Sequence, residues 1–351
     1  MSTGSPMNKD SSPVVLPEWG FKLRPWLAQD LHQVVAGLSE YLDMPDFSVL
    51  SLLDSEFMSQ AKHVRPLLFL LCTKLLNYSG DERIKVAVIC EYIHVASLLH
   101  DDVVDESKIR RGKPACHVVW DKATSVLVGD YIYARACELI SEVESHSKIN
   151  GFLQVFAQAI RMMSEGELMQ LEYKGGFPTV EQYLAILERK TGALLGAATQ
   201  AAWLLGQGSK AAEDSKASLQ GMWDLGILLG TAYQLLDDVF DYSAHQETLG
   251  KPILQDLKEG KASLPLILLM PLVTHSQKTH LHNILSSGAV EKEQQRYILS
   301  LLQQHGTVES TRQLAGKYIG DALAMVEQLF VPSDDRLYLE SLVRALLKRE
   351  S

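Results

Sequence analysis

Basic residues are in the minority in this chain of 351 residues: Lys and Arg number 33 against 43 Asp and Glu, a formal net charge of -10. That balance excludes a nucleic-acid binder, which needs Lys and Arg to neutralise phosphates. An anionic ligand would have to be held by local basic clusters or by bridging cations. Cysteine is also scarce. The four present, Cys72, Cys90, Cys116 and Cys137, form no C-x-x-C pair, which reads as reduced thiols in the cytosol rather than a disulfide framework. No apolar run reaches the roughly 18–20 residues a membrane span requires. The nearest, Leu264 to Val273, contains two prolines. The opening MSTGSPMNKDSSP lacks an apolar core, so residues 1–13 read as a disordered tail and not as a secretory signal.

Strand signals are few, no internal repeat recurs, and no Ser/Gly/Pro-rich linker divides the chain. What is abundant is apolar residues, 46% of the chain, spaced three and four apart. From Trp26 to Leu42 they fall at Leu27, Leu31, Val34, Val35, Leu38 and Leu42. Similar stripes run through 65–77, 84–104, 123–141, 151–172, 180–206, 217–241, 263–274, 293–303, 308–330 and 336–348. Glycine and proline fall between them, at Gly80, Gly112 with Pro114, Gly175 with Pro178, and Gly250 with Pro252. The expectation is an all-α, single-domain helical bundle over residues 14–351.

Two segments break the apolar stripes. Asp101, Asp102 and Asp105 form one D-D-x-x-D; Asp237, Asp238 and Asp241 form another. On a helix, residues four apart share a face, so Asp101 points with Asp105 and Asp237 with Asp241. Like charges so placed repel, and burying them among leucines is costly unless a cation intervenes. Carboxylates are hard ligands suited to Mg²⁺, which completes its shell with water and phosphate oxygens. Two such faces opposed across a bundle would hold Mg²⁺ around a diphosphate. Arg110 and Arg111 follow the first motif beside Gly112 and Pro114, and Arg offers a planar fork for diphosphate oxygens.

In this order, D-D-x-x-D with R-R-G-K-P, then Lys190-Thr191, then Y-Q-L-L-D-D-x-x-D, then G-K-P and D-L-K-E-G-K, the chain resembles the trans-isoprenyl diphosphate synthase family from about residue 20 onward. The resemblance implies an all-helical fold around a deep central cavity and head-to-tail condensation of isopentenyl diphosphate with an allylic diphosphate, farnesyl or geranylgeranyl. It implies three Mg²⁺ ions, a homodimer, a cytoplasmic location and at most transient membrane contact for product release. Asp101, Asp105 and Asp237 match metal ligands, with Asp238 and Asp241 supporting through water and Asp102 orienting water or a basic side chain. Arg110, Lys190, Thr191, Gln234, Lys251 and Lys261 match the allylic diphosphate site; Asp101, Asp105, Asp237 and Lys190 are the catalytic set. Lys62, Arg65, His94 and Arg111 match the isopentenyl diphosphate site, with Arg349 a further candidate. Gln60 and Ala61 stand where family members carry two glycines, which alters that loop.

Product length in such enzymes is set by a floor beneath the first motif. Here Ser97 and Ala96 are small. Ser97 lies about 6 Å below Asp101 on the same face, whereas Ala96 points about 140° away on a straight helix. An open floor implies a C35 to C50 product, with C40 central, as in the long-chain synthases of quinone biosynthesis. Deeper limits fall to the 151–172 helix, through Phe152, Phe156 or Ile160. On these grounds Phe at either Ala96 or Ser97 is expected to shorten the product. The alternatives are a short-chain farnesyl or geranylgeranyl diphosphate synthase, a class I terpene cyclase, and a non-catalytic partner subunit.

Overall fold

Among the described residues the first helix begins at Pro25, whose missing N–H falls where a helix has no internal acceptor for it. The computed structural model describes residues 22–42, 63–110, 113–207, 218–242, 254–288 and 290–347. Its first helix, α1 (Pro25–Glu40), buries Leu27, Leu31, Val34 and Leu38, one face at helical spacing. Then come α2 (Val64–Leu75) and α3 (Glu82–Val104), followed by a two-residue ribbon, β1 (Ile109–Arg110) paired antiparallel with β2 (Lys113–Pro114). Next in order are α4 (Cys116–Val119), α5 (Lys122–Ser147), α6 (Phe152–Glu172), α7 (Val180–Leu187), α8 (Ala193–Gly206) and α9 (Leu219–Asp241). The C-terminal part carries α10 (Gln255–Lys258), α11 (Leu264–Leu269), α12 (His275–Ser287), α13 (Lys292–His305), α14 (Thr307–Leu329) and α15 (Asp334–Leu347). The fold is all-α, and the helices follow the sequence stripes closely.

Polar caps fix where several helices begin. The Asp121 carboxylate accepts the Thr124 N–H at 2.6 Å, and Thr179 and Thr274 form reciprocal caps with Gln182 and Gln277. The stripe over 180–206 is not one helix. A π-helical turn at Glu188–Gly192 separates α7 from α8, the kind of local widening that accompanies functional sites.

Two helices set the frame. The first, α3, packs between α1, α2 and α5, and α9 lies between α8 and α14. Where α8 and α9 cross, backbone meets backbone. A methyl group on Gly226 would come 2.3 Å from the Gly196 nitrogen, and one on Gly230 would come 2.7 Å from Gly192 Cα. Glycines four apart on each helix therefore lock α9 against α8 and the π turn. Gly226→Ala is expected to destabilise the fold by roughly 1–3 kcal/mol or more, the range for overpacking. Gly320→Ala, in open space on α14, should instead gain up to about 1 kcal/mol in helix propensity. Denaturant melts of the two variants test this, and equal shifts would contradict the crossing.

Candidate active site

Each aspartate motif forms the last turn of a 23-residue helix: α3 is capped by Asp105, and α9 ends at Asp241. The C-terminal end of a helix carries partial negative charge on its unpaired carbonyls. Carboxylates there add like charge to like, so both motifs sit where a cation relieves the most strain. Asp101, Asp105 and Asp237 all line one cavity of about 1580 Å³. The two acid walls thus face a common space. They are also tied together: Lys261, downstream of the second wall, bonds Asp105 of the first at 2.5 Å and Glu259 at 2.9 Å. Burial alone would weaken the Lys261 charge; Glu259 and Asp105 outweigh it and raise its pKa.

The remaining three aspartates of the two motifs also bond within the protein. Asp102 is about 100° around the helix from Asp101 and almost fully buried. It accepts from Arg110 Nε at 2.9 Å and pairs with the same guanidinium through Nη2. Asp238 is equally buried; it accepts the Tyr183 hydroxyl at 2.7 Å and the Leu264 N–H at 3.3 Å. Asp241, expected on the face of Asp237, accepts the backbone N–H groups of Gln255 at 2.9 Å and Asp256 at 3.3 Å. It anchors the returning chain because the helix ends there.

The allylic-site candidates converge on the same cavity. Arg110, Lys190, Thr191, Gln234 and Lys261 all line it. Lys190 and Thr191 project from the π turn. The Lys190 ammonium donates to Glu167 at 2.8 Å and Gln170 at 2.7 Å on α6, and the Thr191 hydroxyl donates to the Gln234 amide oxygen at 3.3 Å. A side chain on Gly166 would strike the Lys190 nitrogen at 2.8 Å, so that glycine lets α6 approach the turn. Arg65 and His94 line the cavity as well. Lys62, Arg111, Lys251 and Arg349 lie outside the described residues, as does the altered loop with Gln60 and Ala61.

The floor candidates separate. Ser97 lines the cavity. Ala96 is fully buried in the helix packing and does not line it, in keeping with its rotation of about 140° from Asp101. Phe152 and Phe156 are buried in the core, and Met163 is the α6 side chain that reaches the cavity. Sequence reasoning missed Met163, Glu259, His63 and Glu91, which line the cavity, and Glu167 and Gln170, which are hydrogen-bonded to its Lys190. The one available signal was Glu167 and Gln170 on the α6 stripe, three residues apart.

The donor set suits a divalent cation. Asp101, Asp105 and Asp237 offer hard oxygens, and the Lys261 ammonium already occupies one carboxylate as a cation would. Among the described residues no three His, Cys, Asp or Glu close around one point. Such an open arrangement fits an ion that completes its shell with phosphate and water oxygens. Burial, reinforced by Glu167 and Asp105 against the opposing charge of Lys190, pushes the Asp101 carboxyl up to about 7. Burial likewise lifts Asp238 to about 7. Both start from 3.8, so between those values the folded state binds more protons than the unfolded one. The stability of the metal-free protein should then fall as pH rises from about 4 to about 7. Unfolding temperatures in chelator across that range test this, and a rise would contradict it.

An all-helical bundle with two acid walls and a basic lining defines a diphosphate-handling enzyme. Residues 48–302 match the polyprenyl synthetase family, and the chain belongs to that family. It is similar to octaprenyl diphosphate synthase of Escherichia coli, 35% identical over 310 residues, covering 88% of this chain and 92% of the other. Among solved structures it resembles a decaprenyl diphosphate synthase from Rhodobacter capsulatus, with a TM-score of 0.83, 30% identity, and coverage of 93% and 98%. It also resembles a polyprenyl synthase from Caulobacter crescentus solved with calcium and isoprenyl diphosphate, with a TM-score of 0.80, 33% identity, and coverage of 93% and 97%. The protein is a trans-prenyltransferase that elongates prenyl diphosphates. Among the described residues no helix is long and apolar enough to cross a membrane.

Proposed function

We propose that the protein adds isopentenyl diphosphate head to tail to an allylic primer, farnesyl or geranylgeranyl diphosphate, until an all-trans product of C35 to C50 is reached, with C40 the central reading. The observation that carries it is the meeting of both acid walls on one large cavity in which the residue one turn below Asp101 is the small Ser97. The octaprenyl synthase named above supports a long product.

In this reading Asp101, Asp105 and Asp237 hold three Mg²⁺ ions with the allylic diphosphate, and these ions supply positive charge to the leaving group. Arg110, Lys190 and Lys261 bind the diphosphate as its carbon–oxygen bond breaks and the electron pair leaves with oxygen. Their charge counts most where negative charge develops. Leu98, Met163 and Leu195 line the cavity and keep water from the allylic cation. Arg65 and His94, with Lys62 and Arg111, hold isopentenyl diphosphate. Its double bond attacks the cation, and a proton then passes to the released diphosphate.

Purified protein with Mg²⁺, farnesyl diphosphate and labelled isopentenyl diphosphate should give a product ladder ending between C35 and C50. A ladder stopping at C20 would make it a short-chain synthase, and no product would make it a silent partner subunit. We also propose a homodimer in the cytoplasm. Leu127 on α5 is 66% exposed and Leu168 on α6 is 67% exposed, apolar side chains that a second copy would cover. Sedimentation should report twice the chain mass.

A further inference from the structure

At the N-terminus of α2, His63 adopts φ 45°, a left-handed conformation rare for a residue with a side chain. It is not exposed there, as a strained loop residue usually would be: His63 is 4% accessible. Its Nδ1 lies 3.2 Å from Oε1 of Glu91. Glu91, on α3, is 1% accessible and sits three residues before His94, on the same helix face. Both His63 and Glu91 line the reaction cavity alongside Arg65 and His94. A buried carboxylate is costly unless charges compensate it. Burial would raise the Glu91 carboxyl, but His63, His94 and Arg65 outweigh it and hold it at about 2. Even so the cluster is incomplete. Among the described residues Nε2 of His63 and the second oxygen of Glu91 have no hydrogen-bond partner, and Nδ1 meets Glu91 only in the ion-pair contact at 3.2 Å.

A carboxylate beside Nδ1 orients the ring, and in the imidazolium form Nε2–H is left to donate to another anion. One carboxylate facing two imidazoles and a guanidinium also leaves surplus donors for a second anion. We infer that His63 is a ligand of the diphosphate of isopentenyl diphosphate, and that Glu91 is the positioning residue which accepts from Nδ1 and turns Nε2 toward the phosphate oxygens. This rests on the condensation proposed above. It gives the subsite an anchor in a chain whose adjoining loop carries Gln60 and Ala61.

Steady-state kinetics of the full chain, varying each substrate in turn, test it. His63→Asn keeps a residue that tolerates the left-handed backbone but shortens the side chain. It should raise KM for isopentenyl diphosphate by about ten- to a hundredfold, the range of a lost charge-assisted hydrogen bond. KM for the allylic diphosphate should stay within about twofold. His63→Arg should restore most of the affinity. Glu91→Gln should raise the same KM about tenfold in the wild-type background and add little to His63→Asn, as expected for residues acting in series. An unchanged KM for isopentenyl diphosphate in His63→Asn, or equal rises for both substrates, overturns the inference. If the wild-type protein forms no prenyl product, the condensation reading itself fails, which is a separate result.

Discussion

Asp101→Asn should lower kcat by about a thousandfold or more, the scale on which losing one preorganised electrostatic contact slows an enzyme. The substitution keeps size and shape but removes the charge. Asp101 lines the cavity at the negative end of α3, where Lys190 is the leading opposite charge acting on it. Three negative features, the helix end, Asp101 and Asp105, gather there. Removing one lessens the pull on a divalent cation when the leaving group most needs it. Adding Mg²⁺ in excess should recover only part of the loss, because geometry as well as affinity is changed. Asp237→Asn on the opposite wall should behave alike. Turnover within about tenfold of wild type for both variants would contradict the two-wall reading.

Ser97→Phe should convert a long product into one of C15 to C20. Ser97 lies about one turn below Asp101, lines the cavity, and its hydroxyl donates to the His94 carbonyl at 2.8 Å. A phenyl ring there would enter the space into which the growing chain extends. Ala96→Phe is the contrasting variant. Its site is fully buried, so the ring must displace core side chains at a cost of roughly 1–3 kcal/mol or more. It should lower stability without shortening the product ladder. Chromatography of dephosphorylated products separates the cases; an unchanged ladder in Ser97→Phe would move the floor elsewhere.

Much of this was legible in the residues alone. Helical spacing located the bundle because its core stripes are long and strongly periodic, as on α3 and α9. Four-residue spacing placed Asp101 and Asp105 together. It said less of Asp241, whose carboxylate also accepts from the backbone of the returning chain. Nothing in the 180–206 stripe announced the π turn, because a single extra residue leaves apolar spacing almost intact. Glu91 and His63 were invisible for a different reason. A lone glutamate within an apolar stripe, and a histidine before a helix, gain meaning only when two distant segments meet.

The glycine crossing of α8 and α9 bears on how the enzyme can move. Meshed backbones have no side chains to rearrange between them, so neither helix can slide or roll by a fraction of a turn. The span from Lys190 to Asp237 is therefore preset before any substrate arrives. Any adjustment to a bound diphosphate would fall to the segments around this rigid joint, while the joint itself keeps its gauge through every round of chain growth.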